Sequence, residues 1–409
     1  MTSLVVENAS ILLGENLEHV EQGYIEIDGR GIITAAGEGR SPSRTGKKLD
    51  AGRSILVMPG FINAHTHIAD SIGKDIAAGS RLDARVHPVF GAKKKILEKS
   101  PPEQLAAMIK SSAVSMLHKG ITAFADFREG GPNGVGLLQG AMAGLPIKCV
   151  ALGRADHYSG DPAGTEALPA NAASAAKQVM EIADGLGISG ANENTDAALG
   201  QYREMASTAR KLVAIHAAES AETVRFSKDH TGRSEVERIM QHLRPDILVH
   251  MTHATGYEMS LARAGNAGIV VCPRANGVLG AGLPNVAEML KRGCLVAIGT
   301  DNVMLNSPDI FREMDYLWKA SHAQGDFIEP RELVKMATAN AAKILGLNSG
   351  WIAPGRAADL VFIDKMHTDL YPVHDPYAAI VHRASKDAIR AVMAGGRFVS
   401  SITVGSDLL

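Results

Sequence analysis

The chain has 409 residues, 45% of them hydrophobic and 21% charged, with a formal net charge of −2 at pH 7. That length allows a barrel-sized core plus an appendage. The near-neutral balance leaves no footprint for nucleic acid or an anionic membrane, and no run approaches the ~20 apolar residues of a spanning helix.

The opening stretch, MTSLVVENASILL, lacks a basic leader and carries Glu7 inside its apolar part, so it does not read as a signal peptide. Cys149, Cys272 and Cys294 lie in apolar runs without close pairing. They are expected as free thiols in a reducing, cytoplasmic setting.

Residues 1–54 read as short strands at 4–6, 10–13 and 23–27, broken by Gly14-Glu15-Asn16 and Asp28-Gly29-Arg30-Gly31. The end of the chain has the same texture at 359–364, 389–393 and 397–404. Neither piece can bury a core alone, so 1–54 and 355–409 are expected to combine into a small β-sandwich domain.

Between them the pattern alternates. Short, β-branched apolar runs occur at 55–62, 121–126, 147–152, 185–190, 212–217, 247–250, 268–273 and 294–300. Such runs fit strands buried on both faces of a parallel sheet. Helical periodicity fills the intervals at 102–119, 171–184, 196–210, 219–229, 256–266 and 284–292, then at 309–322 and 331–346. Eight strand and helix units predict an α/β fold, a (β/α)8 TIM barrel over 55–354, rather than an open doubly wound sheet. No G-x-G-x-x-G follows a strand to suggest a dinucleotide site. Lys93-Lys94-Lys95 reads as the wet face of a helix.

In such a barrel, chemistry gathers where the strands end. The first strand ends in His65 and His67, whose i, i+2 spacing puts two imidazoles side by side, half of a metal site. The later ends supply Asp126, Arg128 and Glu129; Arg154, Asp156 and His157; Asn192 and Glu193; His216 and Glu219; His250 and His253; Arg274 and Asn276; and Asp301. Packing gives no reason for titratable residues at most ends of otherwise apolar strands.

The segments PGFINAHTH, HAAE, VH, CPRAN and GTDN, in this order, resemble the amidohydrolase superfamily, closest to its cytosine, guanine and adenosine-derivative deaminase-like branch. The resemblance extends to PGRAADLVFID at 354–364. It implies one divalent metal, zinc or iron, held at the positions of His65, His67, His216 and Asp301. It also implies that Glu219 shuttles protons, that His250 hydrogen-bonds the water at the metal, and that the chain is a homodimer.

Three neutral imidazoles and one carboxylate leave an open position for water, as catalytic sites do. The water's proton can pass to Asp301 with help from His250, and Glu219 can protonate the adjacent ring nitrogen. The competing reading of Glu219 is an acid at the start of the helix that follows. The fourth strand, GLGISGANE, has no lysine for the carboxylated bridge of two-metal relatives, which favours one metal and deamination over ring-amide cleavage.

The chain departs from the nucleoside members, which carry a tryptophan-containing acidic segment after the first motif and a histidine near the end of strand 4. Here those places read ADSIGKDIAAGSRLDARVHP and Glu193. Candidate substrate contacts are Lys74, Asp75, Arg81, His87, Arg128, Glu129, Arg154, His157, Glu193 and Arg274, while Asn276 is expected to hold its loop. The expected activity is that of a hydrolase of C–N bonds other than peptide bonds, acting on an aminated nitrogen heterocycle of nucleobase or pterin type. The rivals are dechlorination or cyclic-amide hydrolysis at the same site, or a silent scaffold.

Overall fold

In the computed structural model, which describes residues 2–76 and 78–399, the apolar runs in the middle of the chain form one parallel sheet. The first strands are β1 (Thr2–Leu13), β2 (Glu18–Asp28), β3 (Ile33–Glu38), β4 (Lys47–Asp50) and β5 (Ile55–Pro59). Next come β6 (Phe61–His67), β7 (Ile121–Arg128), β8 (Lys148–Gly153), β9 (Gly185–Ile188) and β10 (Leu212–Ala217). These are followed by β11 (Ile247–His250), β12 (Gly268–Val271), β13 (Val296–Ile298) and β14 (Asp301–Asn302). The last are β15 (Leu360–Asp364), β16 (Ile389–Ala394) and β17 (Arg397–Phe398).

The nine segments β6 to β14 pair in the order β13-β12-β11-β10-β9-β8-β7-β6-β14. Gly299 and Thr300 divide one strand path into β13 and β14; Gly299 N donates to Val271 O and Thr300 N to His65 O. One half pairs with β12 and the other with β6, so the sheet curls back onto its first strand as in a barrel. Period-two alternation sorts the side chains. Ile62, Ala64, Ala123, Ala125, Phe127, Val150, Leu152 and Val249 form an interior cluster, while Ile121, Phe124, Val213, Ile215 and Leu248 pack outward with the helices.

The run at 55–62 is two strands rather than one. Ile55–Pro59 pairs with β15 and β1 in the other sheet, and the barrel begins at Phe61. Gly60 marks the change because a Cβ there would lie 2.3 Å from Thr122 Oγ1. The two ends of the chain do combine, but as a single hydrogen-bonded sheet of eight strands, β17-β16-β15-β5-β1-β2-β3 with β4 also on β1. The reason is the length of β1, which pairs with β4 over Leu4–Glu7 and with β5 over Ser10–Ile11. Residues 400–404 of the predicted last strand lie outside the described residues.

Most expected helices form, though 331–346 breaks into Pro330–Met336 and Ala339–Ile344. One helix, Gly131–Met142, is invisible to propensity because of its glycines. A Cβ at Gly134 would lie 1.9 Å from Glu129 O, so glycine lets this helix close onto the end of β7. Between β6 and the helix α3 (Pro102–Leu117), two short helices, α1 (Leu82–Val86) and α2 (Ala92–Lys99), form a roof over the strand ends. Among the described residues no helix is long and apolar enough to cross a membrane.

Candidate active site

Because Ile62 and Ala64 face the barrel interior, strict alternation would turn residues 65 and 67 outward. The pairing of β6 with β7 slips between Asn63 and Thr66, which together span only Phe124 to Asp126 on the neighbour. Such a bulge re-aims the side chains beyond it. The rings of His65 and His67 lie 4.9 Å apart, and each meets the edge of Phe127.

His216, from the end of β10, brings its Nε2 within 3.3 Å of His67 Nε2. Asp301 Oδ1 lies 3.3 Å from His65 Nε2 and 3.6 Å from His67 Nε2. One ligand atom from each of the four residues falls within 4.8 Å of the others, close enough to hold one cation. His216 Nδ1 faces the carbonyl of Ser189 at 2.8 Å and His67 Nδ1 faces Glu129 Oε1 at 3.0 Å. Carbonyl and carboxylate oxygens only accept, so both Nδ1 atoms carry the hydrogen and both Nε2 lone pairs are free.

His65 is fully buried; its Nδ1 has no hydrogen-bond partner, and its Nε2 meets the Asp301 carboxylate without a well-formed hydrogen bond. A polar ring orphaned in this way is costly unless a metal takes it up, so the residues fit the cation that the donor set implies. Burial lowers the pKa of all three imidazoles, that of His67 to about 3, keeping them neutral as ligands must be. At Asp301 burial acts upward, but the neighbouring His65 and His250 outweigh it and hold the carboxyl far below its usual range.

Beside this cluster stand Glu219 and His250, with His250 Nε2 3.8 Å from Glu219 Oε1. The helix after β10 begins at Ala221 with Ser220 as its cap, so Glu219 precedes the helix and lines the cavity. Burial raises its carboxyl above the ordinary value. Asn276 Oδ1 lies 3.0 Å from His250 Nδ1 while its Nδ2 donates to Thr252 Oγ1 at 2.6 Å, so this residue fixes the His250 ring. Ala218, His250 and Asp301 all have positive φ, at 47°, 75° and 59°. Such left-handed backbone is uncommon outside glycine and here coincides with the strand ends that carry the cluster.

The other candidates divide. Arg154, Glu193 and His87 line the cavity. Glu129 and Arg128 line the larger cavity that adjoins it, with Arg128 bonded to Glu129. Arg274 is a correction: it turns away to Glu313, Asn306 and the carbonyl of Ser307. His157 is another, because the chain turns at Asp156 (φ 51°) and carries it to a separate small recess near Tyr202. His253 bonds to the carbonyl of Ala281 rather than entering the cluster. Lys74, Asp75 and Arg81 are exposed and outside the cavity wall.

Sequence reasoning missed Glu235, whose carboxyl burial raises to about 8, and also Asp83. It misread Lys93, which is buried in the cavity wall with Nζ 2.7 Å from Glu129 Oε1. A signal was present: Lys93 precedes Ile96 and Leu97 at i+3 and i+4, on the buried face of α2. The cavity at the cluster holds about 90 Å³. A larger one of about 650 Å³ shares Val86, His87, Pro88, Lys93 and Arg154 with it.

Residues 56–399 match the model of the Amidohydrolase family. A protein of Methanothermobacter thermautotrophicus, provisionally named an aminohydrolase, is 38% identical over 399 residues, 97% of this chain and 99% of that one. A 5-methylthioadenosine/S-adenosylhomocysteine deaminase of Halobacterium salinarum is 30% identical over 393 residues, 92% of this chain and 88% of its own. Among solved structures, an adenosine deaminase of Xanthomonas campestris with bound zinc superposes with a TM-score of 0.84 at 22% identity, covering 97% of this chain and 92% of that one.

Proposed function

The chain belongs to the amidohydrolase family, and from that premise we propose that it is a metal-dependent hydrolytic deaminase of aminated nitrogen heterocycles. The observation that carries this reading is the position of Glu219, a buried carboxyl with a raised pKa beside His250 and Asp301 in the wall of one cavity. A proton donor there is what addition to a ring C=N bond requires, because the ring nitrogen gains a proton as the adduct forms. The names of the relatives point the same way.

His65, His67, His216 and Asp301 would hold one divalent cation, zinc in our reading. Bound there, it supplies the Lewis acidity that makes water a nucleophile near neutral pH. His250, fixed by Asn276, orients the water, and Asp301 accepts its proton as oxygen bonds to the ring carbon bearing the amine. Glu219 gives its proton to the adjacent ring nitrogen. The amine then takes up the proton from Asp301, the C–N bond breaks and ammonia leaves, while the new hydroxyl returns its proton to Glu219 as the ring carbonyl forms. The larger adjoining cavity supports a heterocycle with a substituent rather than a bare ring. Three free cysteines support a reducing, cytoplasmic location.

The test is ammonia release by zinc-loaded protein over a panel of aminopurines, aminopyrimidines, pterins and their substituted forms. At least one should be deaminated, and Glu219→Gln should lower kcat by about 10²- to 10⁴-fold with zinc content unchanged. A protein that releases no ammonia yet opens a hydantoin-like ring or dechlorinates a triazine would overturn the reading.

A further inference from the structure

Lys93 is the strongest group that the chemistry above leaves unused. It sits on α2, in the roof rather than in the barrel, yet its side chain is only 7% exposed and its Nζ lies 2.7 Å from Glu129 Oε1. That same oxygen faces His67 Nδ1 at 3.0 Å, while Arg128 bonds the other oxygen of the carboxylate. Glu129 is thus held from both sides by cations, and its oriented oxygen meets the ring nitrogen that must keep its hydrogen if Nε2 is to face the cation. Carboxylates set behind metal-binding histidines fix ring orientation and tautomer.

We propose that Lys93 and Glu129 form a positioning pair that locks His67 for metal binding, so that a residue of the roof helps to hold the metal in the barrel. A buried ammonium is retained only where it is paired, and Glu129 is its ion-pair partner. The geometry also gives the pair a direction. The ion-pair partner of Lys93 is Glu129 and not a ligand, so the support it gives the metal through that carboxylate should be lost when Glu129 is gone.

The inference rests on the metal site of the proposed function but not on the reaction, and its test needs no substrate. Zinc affinity is measured by competition with a chromophoric chelator for the wild type, Lys93→Met, Glu129→Ala and the double variant, with Lys95→Met as an exposed control. Glu129→Gln provides an isosteric check should Glu129→Ala fold poorly, as judged by circular dichroism. Removing such a partner typically weakens metal binding 10- to 100-fold. We expect Lys93→Met to raise the zinc Kd about tenfold in the wild-type background and less than threefold in the Glu129→Ala background. We expect Lys93→Arg to recover most of the loss, because it restores a cation. A Lys93→Met protein that binds zinc within threefold of the wild type, or an equal loss in both backgrounds, would overturn the proposal. Wild-type protein that takes up no zinc would instead overturn the metal reading beneath it.

Discussion

Gly299→Ala tests whether the closure of the barrel and the metal cluster are one structure. A Cβ built at Gly299 would lie 2.8 Å from His65 Cβ, 2.9 Å from His65 N and 3.0 Å from His65 O. Carbon atoms rest about 3.5–4.0 Å apart, so the two chains must separate by roughly 0.7 Å. No side chain can rotate aside, because the clash is with the start of another side chain and with backbone. The neighbouring hydrogen bond from Thr300 N to His65 O ties the same two chains together. Overpacking of this kind costs about 1–3 kcal/mol, and ligand distances in a metal site must hold to within about 0.2 Å. The variant should therefore lose about 1–3 kcal/mol in urea unfolding of the apo-protein. Its zinc Kd, read by chelator competition, should rise by about tenfold or more, equivalent to about 1.4 kcal/mol. Gly200→Ala is the control: it lies in the helix Asp196–Ala209 and its Cβ would meet nothing within 4 Å. It should be neutral or stabilising by up to about 1 kcal/mol. If Gly299→Ala unfolds and binds zinc like the wild type, the joint between the strands is slack and the coupling argument fails.

Three further outcomes follow from the same contacts. Asn276→Ala strips His250 Nδ1 and Thr252 of their buried partner and should cost about 1–3 kcal/mol of stability; kcat/KM should fall while zinc content holds, and an unchanged pH–rate profile would show that Asn276 does not position the ring. Arg238, fully buried, donates to Asp196 and to the carbonyls of Ala191, Asn194 and Pro162; Arg238→Met should lower the unfolding free energy by about 3 kcal/mol, and a change under ~0.5 kcal/mol in urea unfolding would be incompatible with that network. Glu235 is raised to about 8 by burial, so between the ordinary carboxylate pKa and that value the folded protein keeps a proton the unfolded chain has released. Stability should fall as pH rises through this window, by at most about 1.4 kcal/mol per unit from this group, and Glu235→Gln should flatten the slope; parallel stability curves for wild type and variant would contradict it.

Much of this was legible in the chain. The alternation of apolar runs with helical periodicity reports a two-faced buried sheet; its later strands appeared within a few residues of their expected places, while the first began only at Phe61 because Ile55–Pro59 joins the other sheet. The polar strand ends stood out because parallel strands have no packing reason to end in His216, His250 or Asp301. Other features left no local trace. The helix Gly131–Met142 defies propensity, and one of its glycines, Gly134, answers to the close approach of the Glu129 carbonyl, which no apolar period reports. Arg274 looked like a pocket residue by its place after β12, but Glu313, 39 residues on, captures it.

The sequence by itself determined most of the strands and longer helices and the candidate ligand set at His65, His67, His216 and Asp301, because burial period and ligand type are properties of short stretches. Where those side chains point was decided only in three dimensions. His65 and His67 meet in one cluster through a bulge defined against β7, His67 is set by Glu129, and Lys93 enters from a roof whose place depends on the closed barrel. A residue's direction and its partners depend on neighbours far along the chain, and no spacing within one segment encodes them.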